Sequence, residues 1–164
     1  MGTKNRTSFI WVMAMVILAL TVTACEKSIR RNPDGSLSVQ TGITQQELNT
    51  AIQSSLADPL IKEVNVSLQS GYILVTGERQ RLNDSSKTDA LTFRLDLTAA
   101  NGHLSASVSN APVDGVAVGQ ARVEVWNQTI VNHLEKLAQR RPNTAFQSVS
   151  ITTDAVKMTW QIAK

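Results

Sequence analysis

The chain has 164 residues, 16 lysines and arginines against 13 aspartates and glutamates, and a single cysteine, Cys25. One thiol excludes a disulfide framework and a thiolate metal cluster. With few aromatic residues and no basic stripe, the chain also lacks the stacking faces and charge track that nucleic acid requires.

The chain begins with a polar head, residues 1–8, carrying Lys4 and Arg6 and no acid. An apolar run of 12 residues (FIWVMAMVILAL, 9–20) and the small or β-branched TVTA (21–24) follow. This order predicts a secretory signal over residues 1–24, and the apolar run is shorter than the ~20 residues a membrane-spanning helix needs. Val22-Thr23-Ala24-Cys25 resembles the lipobox of bacterial lipoproteins. That resemblance implies cleavage before Cys25, diacylglycerylation of its thiol, acylation of the new amino terminus, and a membrane as the partner of the acylated residue. Two or three acyl chains anchor stably where one is marginal. In the same family an Asp after the cysteine can retain the protein at the inner membrane; Glu26 here points to export outward, within the cell envelope. Removal of residues 1–24 would leave 14 basic against 13 acidic residues, with Trp126 and Trp160 the remaining tryptophans. The 140 residues from Cys25 onward suit one domain with an ordinary core.

Residues 25–42 are polar, contain Pro33-Asp34-Gly35 and lack helical periodicity, which predicts a lipidated cysteine followed by a flexible tether. Seventeen such residues would span roughly 20–25 Å. Arg30 and Arg31 read as two solvated charges near the anchor, with anionic headgroups as the alternative contact. A single α+β domain is expected over 43–164. Its first helix starts with Thr44 and Glu47 at capping-box spacing and Ile43 and Leu48 at hydrophobic-staple spacing. Leu48, Ala51, Ile52 and Leu56 share one face, and Asp58-Pro59 should end the helix.

Val64, Val66 and Leu68 then alternate with polar residues, and a Gln69-Ser70-Gly71 turn leads to YILVTGE. Leu91, Phe93, Leu95 and Leu97 alternate likewise, and Asn101-Gly102, the favoured type I′ pair, joins them to Leu104, Ala106 and Val108. Residues 117–139 predict a second helix with Val123, Trp126, Ile130, Leu134 and Leu137 as its buried stripe. Val149 and Ile151, a Thr152-Thr153-Asp154 turn, and Val156, Met158, Trp160 and Ile162 close the chain as strands. The order α-ββ-ββ-α-ββ predicts an antiparallel sheet of about six strands with two amphipathic helices on one face. Helix, proline, strand, turn, strand occurs twice, so either a duplication or parallel geometry without common origin is open.

His103 and His133 stand 30 residues apart without a HExxH-like arrangement, so no metal site is expected. There is no GxSxG elbow, Walker pattern or GxGxxG, and the acids are scattered, so neither an enzyme nor a cofactor is expected. The bulky residues Phe93, Trp126, Ile130, Met158 and Trp160 could line a groove between helices and sheet; as core they would simply pack together.

ITQQELNTAIQ followed by VNVSLQSGYILVTGE (residues 43–78) resembles the opening of small bacterial envelope domains related to the tubular lipid-binding superfamily. That resemblance implies long curved strands and an apolar or lipid ligand. The expected function is thus a non-enzymatic, membrane-anchored lipoprotein binding a lipid or other apolar ligand. The alternative is an envelope interaction or scaffold module with a fully packed core.

Overall fold

A computed structural model describes residues 27–113, 115–138, 140 and 143–162. The signal segment and Cys25 lie outside the described residues. The elements run β1 (Lys27–Arg31), β2 (Leu37–Thr44), α1 (Gln45–Leu56), β3 (Ile61–Gln69), β4 (Tyr72–Gln80), β5 (Thr88–Ala100) and β6 (His103–Ser109). They continue with β7 (Pro112–Val113), β8 (Val116–Ala117), α2 (Gln120–Leu137), β9 (Thr144–Ile151) and β10 (Ala155–Ile162). The fold is α+β, with two helices and antiparallel strand pairing.

The described strands form two sheets, where a single one was expected. A six-stranded sheet follows the predicted run: β3 pairs β4, and β4 pairs β5. β5 is long enough to pair β6 along its C-terminal half, from Arg94 to Ala100, and β7 at Leu91. Val64, Val66, Leu68, Ile73, Val75, Leu91, Phe93, Leu95, Leu97, Leu104, Ala106 and Val108 are all buried, as alternation along a one-sided sheet requires. Asn101 and Gly102 both have positive φ, 52° and 78°, which the type I′ turn demands.

The second sheet has the order β1-β2-β10-β9 and corrects the expected tether. Leu37, Val39, Thr41 and Ile43 alternate with Ser38, Gln40 and Gly42, a strand pattern that runs straight into the helix cap. β2 therefore pairs β10 from Ile162↔Leu37 to Ala155↔Thr44. Asn32-Pro33-Asp34-Gly35 is the turn that folds β1 back onto β2. Asp34 Oδ1 accepts from the Ser36 amide (2.9 Å) and hydroxyl (2.6 Å), Asn32 N donates to Ser36 O (2.9 Å), and Gly35 takes φ 83°. The Ser36 hydroxyl and amide hold the exposed Asp34 carboxyl below its usual range.

β9 lies across the tips of two hairpins of the larger sheet and ties the sheets together. Phe146 N donates to Gly102 O (2.8 Å), and Gly71 N donates to Ile151 O (3.1 Å). A bulge between Thr159 and Trp160 leaves Gln147 without a cross-strand partner. The extra residue switches the inward parity of β9, so that Val149 and Phe146 both turn to the core side. Phe146 then meets Trp160 with ring centroids 4.6 Å apart.

The helices close the core. Thr44 caps α1 reciprocally with Glu47, and Ile43 and Leu48 are both wholly buried. α1 packs on α2 and β3, and α2 packs on β6. Three polar contacts fix these faces. Trp126 Nε1 donates to Leu56 O at the end of α1 (3.2 Å), His133 Nδ1 lies 3.1 Å from Ser55 Oγ, and Asn127 Oδ1 accepts from Val108 N (2.9 Å). Just past α1, burial pushes the Asp58 carboxyl up. The Leu60 amide, Arg79 (3.0 Å) and Arg122 (3.7 Å) outweigh that and hold it below the usual carboxylate range.

Candidate ligand pocket on the four-stranded sheet

The five bulky residues expected to share a groove do not share one. Phe93, Trp126, Ile130 and Met158 belong to the common core, at most 3% exposed. Phe93 and Trp126 stack at 5.7 Å. Trp126 spends its polar edge on the end of α1. Trp160 alone among the five lines the pocket described next.

That pocket holds about 90 Å³ and lies on the inner face of the four-stranded sheet, beside the end of α2. β1 contributes Lys27 and Ile29, β2 contributes Leu37 and Val39, and β10 contributes Trp160 and Ile162. Ala138 and Arg140 from the connection after α2, and Thr144 at the start of β9, complete it. The site lies where α2 ends at Leu137 and the next residue, Ala138, meets β2, its carbonyl accepting from Thr41 Oγ1 (3.5 Å). Further back, the same face is covered and wholly buried at Ile43, Val156 and Met158. At the pocket the apolar face runs out to solvent, with Ile29 63% and Leu37 37% exposed. The opposite face of these strands is polar, with Ser28, Arg30, Ser38, Gln40 and Thr159 around a separate depression.

Two features add specificity. Trp160 is 2% exposed, and its indole nitrogen is buried without a hydrogen-bond partner among the described residues. Buried N–H groups are ordinarily paired, so this donor is an exception that calls for a reason. The Arg140 guanidinium sits 5.6 Å from the centre of the Trp160 ring, and its Nη1 donates to Glu135 Oε1 (2.7 Å). An apolar hollow is therefore bordered by a cation at each end, Lys27 and Arg140.

Sequence reasoning found Trp160 and missed its neighbours. Leu37 and Val39 carried a readable two-residue period, hidden by the polar composition around them. Ala138 and Arg140 join the site only through where α2 stops, which nothing in their own sequence announces.

A second, open depression of about 420 Å³ lies at the start of α2, with Val113, Val116, Ala117 and Val118 in its wall. Its cations, Arg79 and Arg122, are both engaged by Asp58. Among the described residues no group of three or more His, Cys, Asp or Glu could hold a metal ion. His103 begins β6 on an exposed turn, and His133 lies between Ser55 Oγ and Thr129 O. No described helix is long and apolar enough to cross a membrane. Comparison with family models, curated proteins and solved structures finds no match for this chain.

Proposed function

We propose that the chain is an exported lipoprotein of the cell envelope, held at a membrane through acylated Cys25. Its domain is a non-enzymatic interaction module that recognises a protruding apolar group at Trp160. In the same reading both helices cover one face of the larger sheet, α1 over β3 and α2 over β6. The observation that carries the choice is volume. Small-molecule sites run to roughly 300–1,000 Å³, whereas this pocket holds about 90 Å³ and the interior around Phe93, Trp126, Ile130 and Met158 is packed. A space of that size suits one side chain better than a whole lipid.

A lipid or other apolar ligand remains the second reading. It is favoured by the pocket's position between helix and sheet, two residues from Cys25, and by its aliphatic walls.

Anchoring is tested by expressing the full chain and Cys25→Ser in a bacterial host fed labelled palmitate. The expected result is label and membrane retention for the unaltered chain, and loss of both for the variant. Unchanged membrane retention of Cys25→Ser would sink the lipoprotein reading. Ligand class is tested by mass spectrometry of the gently extracted protein and by lipid titration of its melting temperature. A ligand at 100 times its dissociation constant adds about 2.7 kcal/mol, so copurified lipid with such a shift would overturn the side-chain reading in favour of the second.

A further inference from the structure

We infer that the free edge of β1 and the Trp160 pocket form one docking strip for an extended acidic peptide that seats a single apolar side chain in the pocket. The inference rests on the interaction-module reading and specifies its partner.

β1 is an outer strand of its sheet, paired on one side to β2 from Lys27↔Thr41 to Arg31↔Leu37. Its other side has no strand partner among the described residues, and such an edge is a ready template for strand addition. Its five residues, KSIRR, carry three cations and no acid. Among the described residues no carboxylate pairs with Lys27, Arg30 or Arg31, whereas Arg79, Lys87, Arg94, Arg122 and Arg140 each have one within 4 Å. The positive edge thus holds three of the four cations of this sheet, the fourth being Lys157 on β10. A second copy of β1 would set cations against cations, which disfavours self-pairing. Recognition of anionic lipid usually takes clusters of 4–8 basic residues, more than β1 supplies.

Strand alternation turns this into a sequence pattern. Lys27, Ile29 and Arg31 fall on one face of β1, the face that lines the pocket at Lys27 and Ile29. A strand added at the usual spacing of about 4.8 Å places its own alternate side chains beside these three. Complementarity then asks for acid, any residue, apolar, any residue, acid. The apolar side chain would enter next to Ile29, where about 90 Å³ is open. The carboxylates would meet Lys27 and Arg31.

The test uses the full lipidated chain in nanodiscs of neutral phosphatidylcholine. The probe is a fluorescein-labelled peptide, Thr-Glu-Thr-Leu-Thr-Glu-Thr, compared with versions carrying Ala for Leu or Lys for both Glu. The first peptide should bind at least tenfold more tightly than either control. It should also shift the Trp160 indole N–H resonance and leave that of Trp126, which bonds Leu56 O, in place. Lys27→Glu with Arg31→Glu, both at exposed positions, should reverse the charge preference. Equal binding of the three peptides, or no binding by any, would overturn the strip. So would a Trp160 resonance that moves only when phosphatidylglycerol replaces phosphatidylcholine, which would assign the edge to the membrane surface. Loss of peptide binding together with normal release of Cys25→Ser would remove this inference and leave the anchor intact.

Discussion

Trp126→Phe separates a structural tryptophan from a ligand-lining one. The indole donates to Leu56 O at 3.2 Å, and the ring is 3% exposed and stacked on Phe93. Phenylalanine keeps an aromatic face and removes the donor. It strands a carbonyl at the end of α1, where no intrahelical partner exists. Leaving a buried acceptor unpaired costs about 1–3 kcal/mol, and the lost ring volume adds roughly 1 kcal/mol, well below the 3–5 kcal/mol of a full truncation to alanine. Together this gives about 2–4 kcal/mol. For a domain of this size each kcal/mol moves the melting temperature by about 3–4 °C, so a drop of roughly 6–16 °C should appear by calorimetry, with urea denaturation giving the same loss. Amide exchange should accelerate first at the end of α1. A variant within 1 kcal/mol of the parent, yet altered in binding any apolar probe, would refute the assignment and return Trp126 to a ligand wall.

Thr44→Ala removes a reciprocal cap in which Glu47 N donates to Thr44 Oγ1 (3.3 Å) and Thr44 N donates to Glu47 Oε2 (2.9 Å). About 1–2 kcal/mol should be lost in chemical denaturation, and an unchanged midpoint would contradict the cap's role. At Gly77 an added Cβ would stand 2.5 Å from the Glu63 carbonyl oxygen, so Gly77→Ala must displace β3 beside its bulge. A loss of about 1–3 kcal/mol is expected, and unchanged stability would show the crowding to be unimportant. Asp58→Asn should cost about 1–2 kcal/mol at neutral pH through its bonds to Leu60 N, Arg79 and Arg122. Because the folded pKa of Asp58 is depressed, that advantage is whole above the unfolded value of 3.8 and vanishes as pH falls through the folded value. A gap that persists in strong acid, or widens there, would show that ionisation of Asp58 is not its source.

Much of the larger sheet was legible because its information is local. Alternation in Leu91-Phe93-Leu95-Leu97, the Asn101-Gly102 pair and the Thr44–Glu47 box each act within a few residues, so composition alone declares them. The smaller sheet depends on pairings that span the chain. β2 meets β10 more than a hundred residues later. In a hairpin as polar as residues 27–44, the alternation of Leu37, Val39, Thr41 and Ile43 is a weak signal until that partner is present. The bulge at Trp160 is of the same kind. Phe146 and Val149 have opposite parity, which reads as a broken strand, and only the extra residue opposite Thr159 reconciles them. The Trp160 pocket was half visible for this reason. Its aromatic wall lies in a regular strand, while its mouth is made by a helix end and an edge strand.

Folding residues 27–44 into the sheet also changes what the proposed anchor can do. A seventeen-residue leash would let the domain roam some 20–25 Å from the bilayer. With β1 beginning at Lys27, one residue lies between Cys25 and the first strand, a reach of at most about 7 Å. An anchored domain would then be held by a short link at one edge, and that edge is β1. With that anchor, Lys27 would lie within about one Debye length of the headgroups, where electrostatic attraction to an acidic partner is still felt at physiological salt. Under the proposed anchoring, the strip beside Trp160 would be presented at the membrane surface rather than into open solvent. A partner must bring its acidic, extended segment there, which favours a protein that is itself membrane-bound over one that diffuses freely.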